Sequence, residues 1–446
     1  MYYRAQGAVP KHGAGRNEPE IGVDFTARPF DNAAMRSFPI LSFCRFLEAR
    51  HTGLLLALLG AVLLGGAAYS LHLGDRIRYP DEQEYASIGA NLAEHGVFST
   101  DGVQATAYRP PGYPALLAVL RSAGTGVFSM RMLNFAALAV CVLLLYRLLR
   151  PLSVVAALLA AACAAAYPLF LYTAGTLYPQ TVASALFLAA IWLVFRRDPP
   201  GYGDAALAGL AMGALILTVP SFVFSVVFVA GWWVVRSRRL LTHAVVLVLA
   251  CGLVLAPWIV RNYVRFGTFV FVSSNSGYNL LLGNSENARP NSGTNADIRR
   301  YEAAAANMGE IDRDRYYGSQ AVSFIRGNPG RAAWLYARKF LNYFNYRNEL
   351  FVKTEGSPLR DAVAVLTYGP LLAMALLRVL LARKWPLTRL EHFALLLYVL
   401  NGAYAAIFFT RLRFRVPFDY LLLLVAGLLL GRLAAAMRSR PDAVLR

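Results

Sequence analysis

Two adjacent carboxylates, Asp81 and Glu82, are the strongest candidates in the chain for acid–base chemistry. They follow Pro80, and a proline with acids directly behind it is typical of the first turn of a helix. Two further acids, Glu84 and Glu94, make this helix too polar to cross a bilayer, so we expect it to lie along the membrane surface. A carboxylate that is ionised there at neutral pH can act as a general base. The alternative is structural: Asp81 caps the helix and Glu82 complements its dipole.

Cationic side chains recur in the other polar segments. Arg109 stands before two prolines in a segment whose apolar part is too short for a span, and Lys339 lies among aromatic residues. For both, the alternative is that the charged head only snorkels to the membrane surface. Arg411, Arg413 and Arg415 share one short connection, and guanidinium groups bind phosphate with paired hydrogen bonds. These cations predict a site for an anion such as a lipid-linked phosphate; the alternatives for the three arginines are contact with anionic lipids or a topology wrong by one span.

Polar and aromatic residues beside these charges complete the candidate site. After Trp258 the chain is expected to leave the membrane and to enter a loop rich in Gly, Asn and Ser, the kind of segment that contacts ligands. The catalytic candidates are Asp81 and Glu82. The substrate-binding candidates are Tyr85, Arg109, Arg261, Asn262, Tyr278, Asn284, Lys339, Arg411, Arg413 and Arg415. No metal ligands are assigned, although the two acids could also hold Mg²⁺ or Mn²⁺.

The elements that must position these residues are transmembrane helices. The chain has 446 residues, of which 57% are hydrophobic, and its mean hydropathy is +0.45. Apolar runs long enough to cross about 30 Å of hydrocarbon recur along it. We predict ten spans, at 54–71, 129–149, 153–171, 178–196, 204–219, 220–236, 241–258, 361–382, 390–409 and 414–436.

One apolar stretch, 204–236, is too long for a single span. As one helix it would be roughly 50 Å long at about 1.5 Å per residue, against about 30 Å of hydrocarbon. Pro220 lies in its middle and cannot donate a helical hydrogen bond. We therefore predict a hairpin of two spans, with Val219, Pro220 and Ser221 at the outer surface.

The basic residues lie in short clusters between the apolar runs. The formal net charge is +19, but nucleic-acid binding needs a contiguous basic face, so we exclude it. With the hairpin, every cluster falls on the side of the N-terminal tail, as the positive-inside rule requires. The clusters are Arg147/Arg150, Arg196/Arg197, Arg236/Arg238/Arg239, Arg383/Lys384 and Arg438/Arg440. Both termini are then predicted inside, and segments 72–128 and 261–360 outside.

These patterns divide the chain into four regions. We predict a flexible cytoplasmic tail at 1–50 with an amphipathic stretch near 38–46, a transmembrane region at 51–260 that contains the first outer loop, a large outer loop with amphipathic helices at 261–360, and a second transmembrane region at 361–446. The four cysteines form no CxxC pair and are expected to be buried small side chains rather than disulfides or zinc ligands.

Five motifs, in this order, resemble those of a known enzyme family. They are DE-x-x-Y from Asp81, RPPGYP from Arg109, PWIVRNYVRFG from Pro257, GYNLLLGN from Gly277 and RFRVP from Arg413. The order is similar to that of the bacterial membrane glycosyltransferases related to protein O-mannosyltransferases and aminoarabinose transferases. The resemblance implies an all-α GT-C fold with interfacial helices in two outer loops, and a donor sugar carried on a polyprenyl phosphate.

The resemblance also implies which acid is catalytic. In that family it is an acid in the first outer loop, a position that Asp81 matches here with Glu82 beside it. Two positions depart from the family pattern: Val219 stands where many relatives have arginine, and Arg109 where others have lysine. Details of donor and acceptor recognition are therefore expected to differ.

The predicted function is transfer of a hexosyl or pentosyl group from a polyprenyl-phosphate donor to an acceptor lipid, glycan or protein. We expect it at the outer face of the bacterial inner membrane, in contact with membrane lipids. Displacement at an anomeric carbon needs a base for the acceptor proton and cations for the leaving phosphate, and a single displacement inverts the sugar. The alternatives are a membrane transporter or flippase, and a polymerase or ligase of surface glycans; a transporter would carry ionisable groups near mid-span, which these spans nearly lack.

Overall fold

Seventeen α-helices make up most of the part of the chain that the computed structural model describes, residues 39–347 and 357–438. Within those ranges there is no β-strand, so the all-α prediction is confirmed. In chain order the helices are α1 (Pro39–Leu73), α2 (Pro80–His95), α3 (Gly112–Ser122), α4 (Val127–Leu149), α5 (Val154–Ala166), α6 (Pro168–Ala174), α7 (Gln180–Phe195), α8 (Tyr202–Thr218), α9 (Val223–Arg236), α10 (Leu241–Phe266), α11 (Ser276–Gly283), α12 (Arg299–Ala304), α13 (Glu310–Gly327), α14 (Pro329–Tyr343), α15 (Pro358–Leu380), α16 (Arg389–Ile407) and α17 (Leu412–Arg438).

Each of the ten predicted spans coincides with an apolar helix or with a bent pair of helices. Six helices in the described ranges are long and apolar enough to cross a membrane: α1, α4, α10, α15, α16 and α17. α5 and α6 form a further candidate span, bent by 54° between them. α7, α8 and α9 are apolar but shorter. The chain is therefore a multi-pass membrane protein, as predicted.

The apolar stretch 204–236 is divided at Pro220, as predicted. α8 ends at Thr218 and α9 begins at Val223. The end of α8 lies against the first outer segment, because a Cβ added to Gly112 at the start of α3 would meet Thr218 Oγ1 at 2.6 Å.

At the end of the bundle away from the first outer segment, ion pairs connect α7, α8, α9 and α16. Asp198, in the connection after α7, pairs with Arg236 at the end of α9 and with Arg389 at the start of α16. Asp204, at the start of α8, pairs with Arg196 at the end of α7. α8 therefore runs from this end towards the first outer segment and α9 returns, which is the predicted hairpin. Which end faces the cytoplasm stays a prediction.

α17 lies at the centre of the bundle. In its most apolar stretch 67% of the residues are buried, against 22% in α1, α10 and α15. Gly427 and Gly431 let α17 approach α5 closely, since a Cβ at these positions would lie 2.9 Å from Ala160 Cβ and 2.8 Å from Ala156 Cβ. Small residues permit this approach of backbones in membrane helices. The packing of α17 therefore fixes where the arginines at its start lie.

The first helix begins earlier than predicted. α1 starts at Pro39, so residues 39–50 are helical and continuous with the first span rather than part of a flexible tail or a separate amphipathic stretch. The reason is local, because no proline or glycine stands between Pro39 and Gly53 to break the helix. The tail prediction for residues 1–38 lies outside the described residues.

α10 also extends beyond its predicted end. The helix continues through Pro257 to Phe266 and ends where Gly267 adopts a φ of 65°, a left-handed conformation that glycine takes without a steric penalty. Arg261 and Asn262 are therefore helical residues rather than loop residues.

Short helices cover the end of the bundle that is predicted to face outside. α2 and α3 lie side by side, and a Cβ at Gly89 would meet Leu117 Cβ at 2.9 Å. Glu310 at the start of α13 joins the two outer segments, since its carboxylate accepts hydrogen bonds from Thr106 Oγ1 and from the Ala107 amide at 2.8 Å. α13 and α14 lie in the segment 261–360, for which amphipathic helices were predicted. These contacts bring the motifs of both outer segments to one surface.

Candidate active site

Asp81 lies in the first turn of α2 but does not cap it. The N-cap residue is Tyr79, and it makes no side-chain capping hydrogen bond. The Asp81 carboxylate instead pairs with two arginines, Arg109 at 2.6 Å and Arg413. Burial alone would raise the pKa of Asp81, but the charges of Arg413 and Arg109 outweigh it and lower the pKa to about 2. The capping alternative is therefore wrong, and Asp81 is a partly exposed anion between two cations.

Arg109 is held by four side chains. Its guanidinium pairs with Asp81 at 2.6 Å and with Glu84 at 2.6 Å. It also lies 5.2 Å from the ring centroid of Tyr85 and 5.2 Å from that of Tyr108. The rigid Pro110–Pro111 entry to α3 fixes its backbone. Arg109 and Tyr85 therefore belong to the Asp81 cluster, and their binding of substrate stays a prediction.

Arg411, in the connection between α16 and α17, and Arg413, in the first turn of α17, belong to the same cluster. The Nε atom of Arg413 is buried and has no hydrogen-bond partner in the structure as described. Arg411 lies over Gly293, whose added Cβ would meet Arg411 Nε at 3.0 Å, and its guanidinium makes no hydrogen bond or ion pair with any described residue. Burial, and next the charge of Arg413, lower the pKa of Arg411 to about 10, so it still carries its charge at neutral pH.

The cluster has more cations than anions. Arg109, Arg411 and Arg413 stand against Asp81 and Glu84, which leaves a formal excess of one positive charge. Unpaired guanidinium N–H groups in a partly buried site favour binding of an anion, and phosphate is the anion whose geometry they match.

Arg415 does not join this cluster. Its Nε lies 2.9 Å from Asp419 Oδ1, and the guanidinium donates to the backbone carbonyls of Tyr343 at 3.1 Å and Asn345 at 2.6 Å. The ring of Tyr368 lies 3.5 Å below it. Arg413 and Arg415 are two residues apart in α17, and an α-helix turns about 200° around its axis over two residues. Their side chains therefore point in nearly opposite directions.

Glu82 is also placed away from the arginines. Its side chain is buried and accepts hydrogen bonds from the backbone amides of Arg78 at 2.9 Å and Leu177 at 3.2 Å. It thereby ties the start of α2 to the turn before α7. That turn contributes Tyr178, whose ring centroid is 5.9 Å from the Arg413 guanidinium.

Arg261 holds the first outer segment against the end of α10, and Asn262 holds the chain that follows α10. Arg261 donates to the Thr106 carbonyl at 2.9 Å and lies 4.6 Å from the Trp258 ring centroid. Asn262 is buried and donates to the Val270 carbonyl at 3.2 Å. Arg261 therefore stabilises the position of the first outer segment, and Asn262 that of the chain after α10.

The remaining candidates lie in the large outer loop. The amide of Tyr278 donates to Asp314 at 2.9 Å, and burial raises the pKa of its phenol. Asn284 and Lys339 are buried and bonded to each other at 3.2 Å. Lys339 neither snorkels nor faces the Asp81 cluster.

Three residues that contact the cluster, Glu84, Tyr108 and Tyr178, were missed by the sequence prediction. Glu84 stands three residues after Asp81, a spacing that puts both on one face of a helix, so this signal was available. Tyr178 reaches the cluster only through the packing of the turn before α7, and no local pattern marks it.

No group of three or more His, Cys, Asp or Glu side chains is placed to hold a metal ion within 39–347 and 357–438. Both carboxylate oxygens of Asp81 already face arginines. The cysteines are free; three are buried as predicted, whereas Cys163 is exposed.

Comparisons with known proteins give a likeness of structure alone. No protein-family model matches the chain, and no curated protein matches it. It is similar to the crystal structure of ArnT from Cupriavidus metallidurans bound to undecaprenyl phosphate, with 16% identity, a TM-score of 0.41, and coverage of 86% of this chain and 78% of that one. The apo structure of the same protein gives 16% identity, a TM-score of 0.39, and coverage of 85% and 76%. ArnT is an aminoarabinose transferase with the GT-C fold, the class that the sequence motifs resemble; at this identity and TM-score the likeness assigns no activity to this chain.

Proposed function

We propose that the chain is a glycosyltransferase that moves a sugar from a polyprenyl-phosphate donor to an acceptor at the membrane surface. The observation that carries the proposal is the Asp81 carboxylate between Arg109 and Arg413, with the Arg411 guanidinium beside them free of any described partner. Such a group offers what displacement of a phosphate from an anomeric carbon needs, a proton acceptor and cations for the leaving group. The motif resemblance read from the sequence supports the same chemistry.

The reaction is a single displacement. The acceptor oxygen attacks the anomeric carbon while the bond from that carbon to the phosphate oxygen breaks. The electron pair of the broken bond stays on the phosphate, whose charge Arg411 and Arg413 compensate. The acceptor's proton passes to Asp81. One displacement inverts the configuration at the anomeric carbon.

Asp81 is a weak base before the donor arrives. Although burial would raise its pKa, Arg413 and Arg109 lower it to about 2, and a base works best with a pKa near the operating pH. A donor phosphate that binds Arg413 competes with Asp81 for the same guanidinium. Loss of that ion pair raises the pKa of Asp81 towards its ordinary value of about 3.9, or above it in a buried site. Donor binding thereby increases the basicity of the acid that receives the acceptor's proton.

The setting of the reaction follows from the predicted topology. It places α2 and the start of α17 at the outer face of a bacterial inner membrane, where a hexosyl or pentosyl group would pass to a lipid, glycan or protein. A divalent cation is no part of the proposed step. If EDTA abolishes turnover and added Mg²⁺ or Mn²⁺ restores it, the reaction requires a divalent metal ion.

The test uses the full chain in lipid nanodiscs with synthetic polyprenyl-phosphate sugars and a bacterial envelope extract. Mass spectrometry should detect free polyprenyl phosphate and a glycosylated envelope component, and the Asp81→Asn variant should form neither. Absence of released polyprenyl phosphate with every hexosyl and pentosyl donor would refute the proposal. Donor that crosses vesicle membranes without being cleaved would favour a flippase, and products of repeated sugar length would favour a polymerase.

A further inference from the structure

Lys339 on α14 is fully buried, and no acidic side chain of the described residues pairs with it. It has 0% exposure, and its Nζ donates to the Gly283 carbonyl at 3.0 Å, the Phe408 carbonyl at 2.8 Å and Asn284 Oδ1 at 3.2 Å. An ammonium group has three donors and no acceptor, so this cage of three oxygens satisfies it completely. A buried charge is costly unless it is compensated in this way.

The cage joins three elements that are distant in sequence. Gly283 ends α11 and Phe408 follows α16, and these backbones are so close that a Cβ on Gly283 would lie 1.6 Å from the Phe408 carbonyl oxygen. The same junction is strengthened by Asn284, which donates to the Ile407 carbonyl at 2.9 Å. Lys339 adds α14 to this contact.

Further hydrogen bonds continue from the cage along the connection that carries the arginines. Thr410 Oγ1 donates to the Lys339 carbonyl at 3.2 Å and accepts from Asn342 at 2.9 Å. On the far side, Arg415 donates to carbonyls at the end of α14. The segment with Arg411 and Arg413 is therefore attached to α14 both before and after these two residues.

We infer that Lys339 is a positioning residue that fixes the 408–413 segment so that Arg411 and Arg413 face Asp81. This inference rests on the proposed function for its consequence, namely that loss of the Lys339 contacts weakens binding of the polyprenyl phosphate. Lys339 itself does not touch the phosphate. Its attachment of the segment is a structural claim that stands independently.

The protonation state of Lys339 gives the attachment a pH dependence. Burial lowers the pKa of Lys339 to about 7, and the neutral amine has only two N–H groups for three acceptors. The titratable groups on the elements around it are Arg331, Tyr336, Arg338 and Tyr343 on α14, Tyr278 on α11, Glu286 after it, Arg389, Glu391, His392, Tyr398 and Tyr404 on α16, and Arg411 and Arg413 after it. Of the described residues, none of these bonds to Nζ. The attachment should therefore loosen as pH rises through neutrality.

The test combines hydrogen–deuterium exchange with binding of undecaprenyl phosphate in nanodiscs. Lys339→Met removes all three donors, Lys339→Gln keeps two, and Arg338→Met removes the exposed charge next to it as a control. We expect Lys339→Met to raise exchange of residues 405–413 and to weaken binding, each about tenfold, as loss of one charged hydrogen bond would. Lys339→Gln should lie between Lys339→Met and wild type, and Arg338→Met should match wild type.

A pH series on the wild-type protein avoids any folding defect of the variants. Binding of undecaprenyl phosphate should weaken as pH passes about 7, and Lys339→Met should show no such step. Unchanged exchange at 405–413 in Lys339→Met would overturn the attachment, and faster exchange with unchanged binding would overturn the positioning role. If the wild type does not bind the probe at any pH, the proposed function fails, while the exchange data still decide whether Lys339 holds the segment.

Discussion

Asp81 in the first turn of α2 forms an ion pair with Arg413 in the first turn of α17, 332 residues later in the chain. The pair brings together the first outer segment and the last membrane helix. Because Arg109 binds the other oxygen of the same carboxylate, one acid is shared between two outer elements. Removing its charge therefore changes both the chemistry and the electrostatic balance of the site.

Asp81→Asn is the most direct test of the proposed base. The amide keeps the shape of the side chain but cannot accept the acceptor's proton, so turnover should fall at least about a hundredfold. The matched control is Glu94→Gln on the same helix, which removes an equal charge from an exposed ion pair with Arg121. Expression and thermal stability of both variants should be compared by size-exclusion chromatography and melting. Near-normal turnover in Asp81→Asn would remove Asp81 from the mechanism.

Arg411→Ala tests the anion site without breaking an ion pair. Arg411 makes no hydrogen bond or ion pair with the described residues, so its loss should leave the melting temperature unchanged. The KM for the donor should rise about 10- to 150-fold, since a hydrogen bond to a charged group contributes about 1.5–3 kcal/mol. Arg121→Ala, exposed on α3, is the control. A lower melting temperature together with an unchanged KM would assign Arg411 a packing role.

The spans could be predicted from the sequence because apolar runs recur along the chain and arginine clusters lie beside one end of them. The division at Pro220 could also be predicted, since a helix of 204–236 is too long for the bilayer and proline cannot donate within it. The chemical candidates Asp81, Arg109 and Arg413 were found because they lie in the polar segments between the apolar runs.

The direction of each side chain was harder to predict. Arg411, Arg413 and Arg415 were treated as one anion site, yet helical geometry separates the last two by about 200°. The ion pair of Arg415 with Asp419 has the i, i+4 spacing that favours such pairs, so that signal was present. The burial of Lys339 depends on the meeting of Gly283 and Phe408, and contacts between distant segments leave no local pattern.

The predicted topology can be tested by cysteine labelling of intact spheroplasts. The labelled cysteine must be exposed. Ser292 in the large outer loop is only 5% exposed, so a cysteine there would react poorly, whereas Ser319 on α13 is exposed. In a background without the four native cysteines, Ser319→Cys should react with a membrane-impermeant maleimide from outside. Arg238→Cys, exposed between α9 and α10, should react only after lysis. The reverse pattern would place the Asp81 cluster in the cytoplasm.

A buried ion pair at the opposite end of the bundle should be important for stability. Arg378 Nε lies 2.6 Å from Glu391 Oε1, and both side chains have 0% exposure. Arg378→Met leaves the buried Glu391 carboxylate with only the longer ion pair to Arg432, at 3.7 Å. Loss of the close partner should cost up to about 3–5 kcal/mol. Arg383→Met, exposed just after α15, is the control. Unfolding in SDS, followed by tryptophan fluorescence, measures the difference, and equal stability of the two variants would contradict the expected role of the pair.

The pH dependence of turnover shows whether Asp81 stays paired with Arg413 throughout the reaction or whether donor binding breaks this ion pair. In the free enzyme, Arg413 and Arg109 overcome the effect of burial and lower the pKa of Asp81 to about 2, so the carboxylate stays ionised at every pH above that value. The depressed pKa also stabilises the fold at pH values above the unfolded pKa of about 3.9, and this contribution is lost as pH falls through about 2.

kcat/KM for the donor reports the free enzyme, and kcat reports the complex. We therefore expect kcat/KM to show no acid limb from Asp81 between pH 7 and about 4, whereas kcat should fall as pH approaches about 4 or somewhat above, because the bound phosphate has taken Arg413 from Asp81. Initial rates in nanodiscs across this range, with thermal melts at each pH as the control for unfolding, give both profiles. An acid limb at the same pH in both would show that the donor leaves the Asp81–Arg413 pair intact, and Asp81 would then act as a fixed charge rather than as the base.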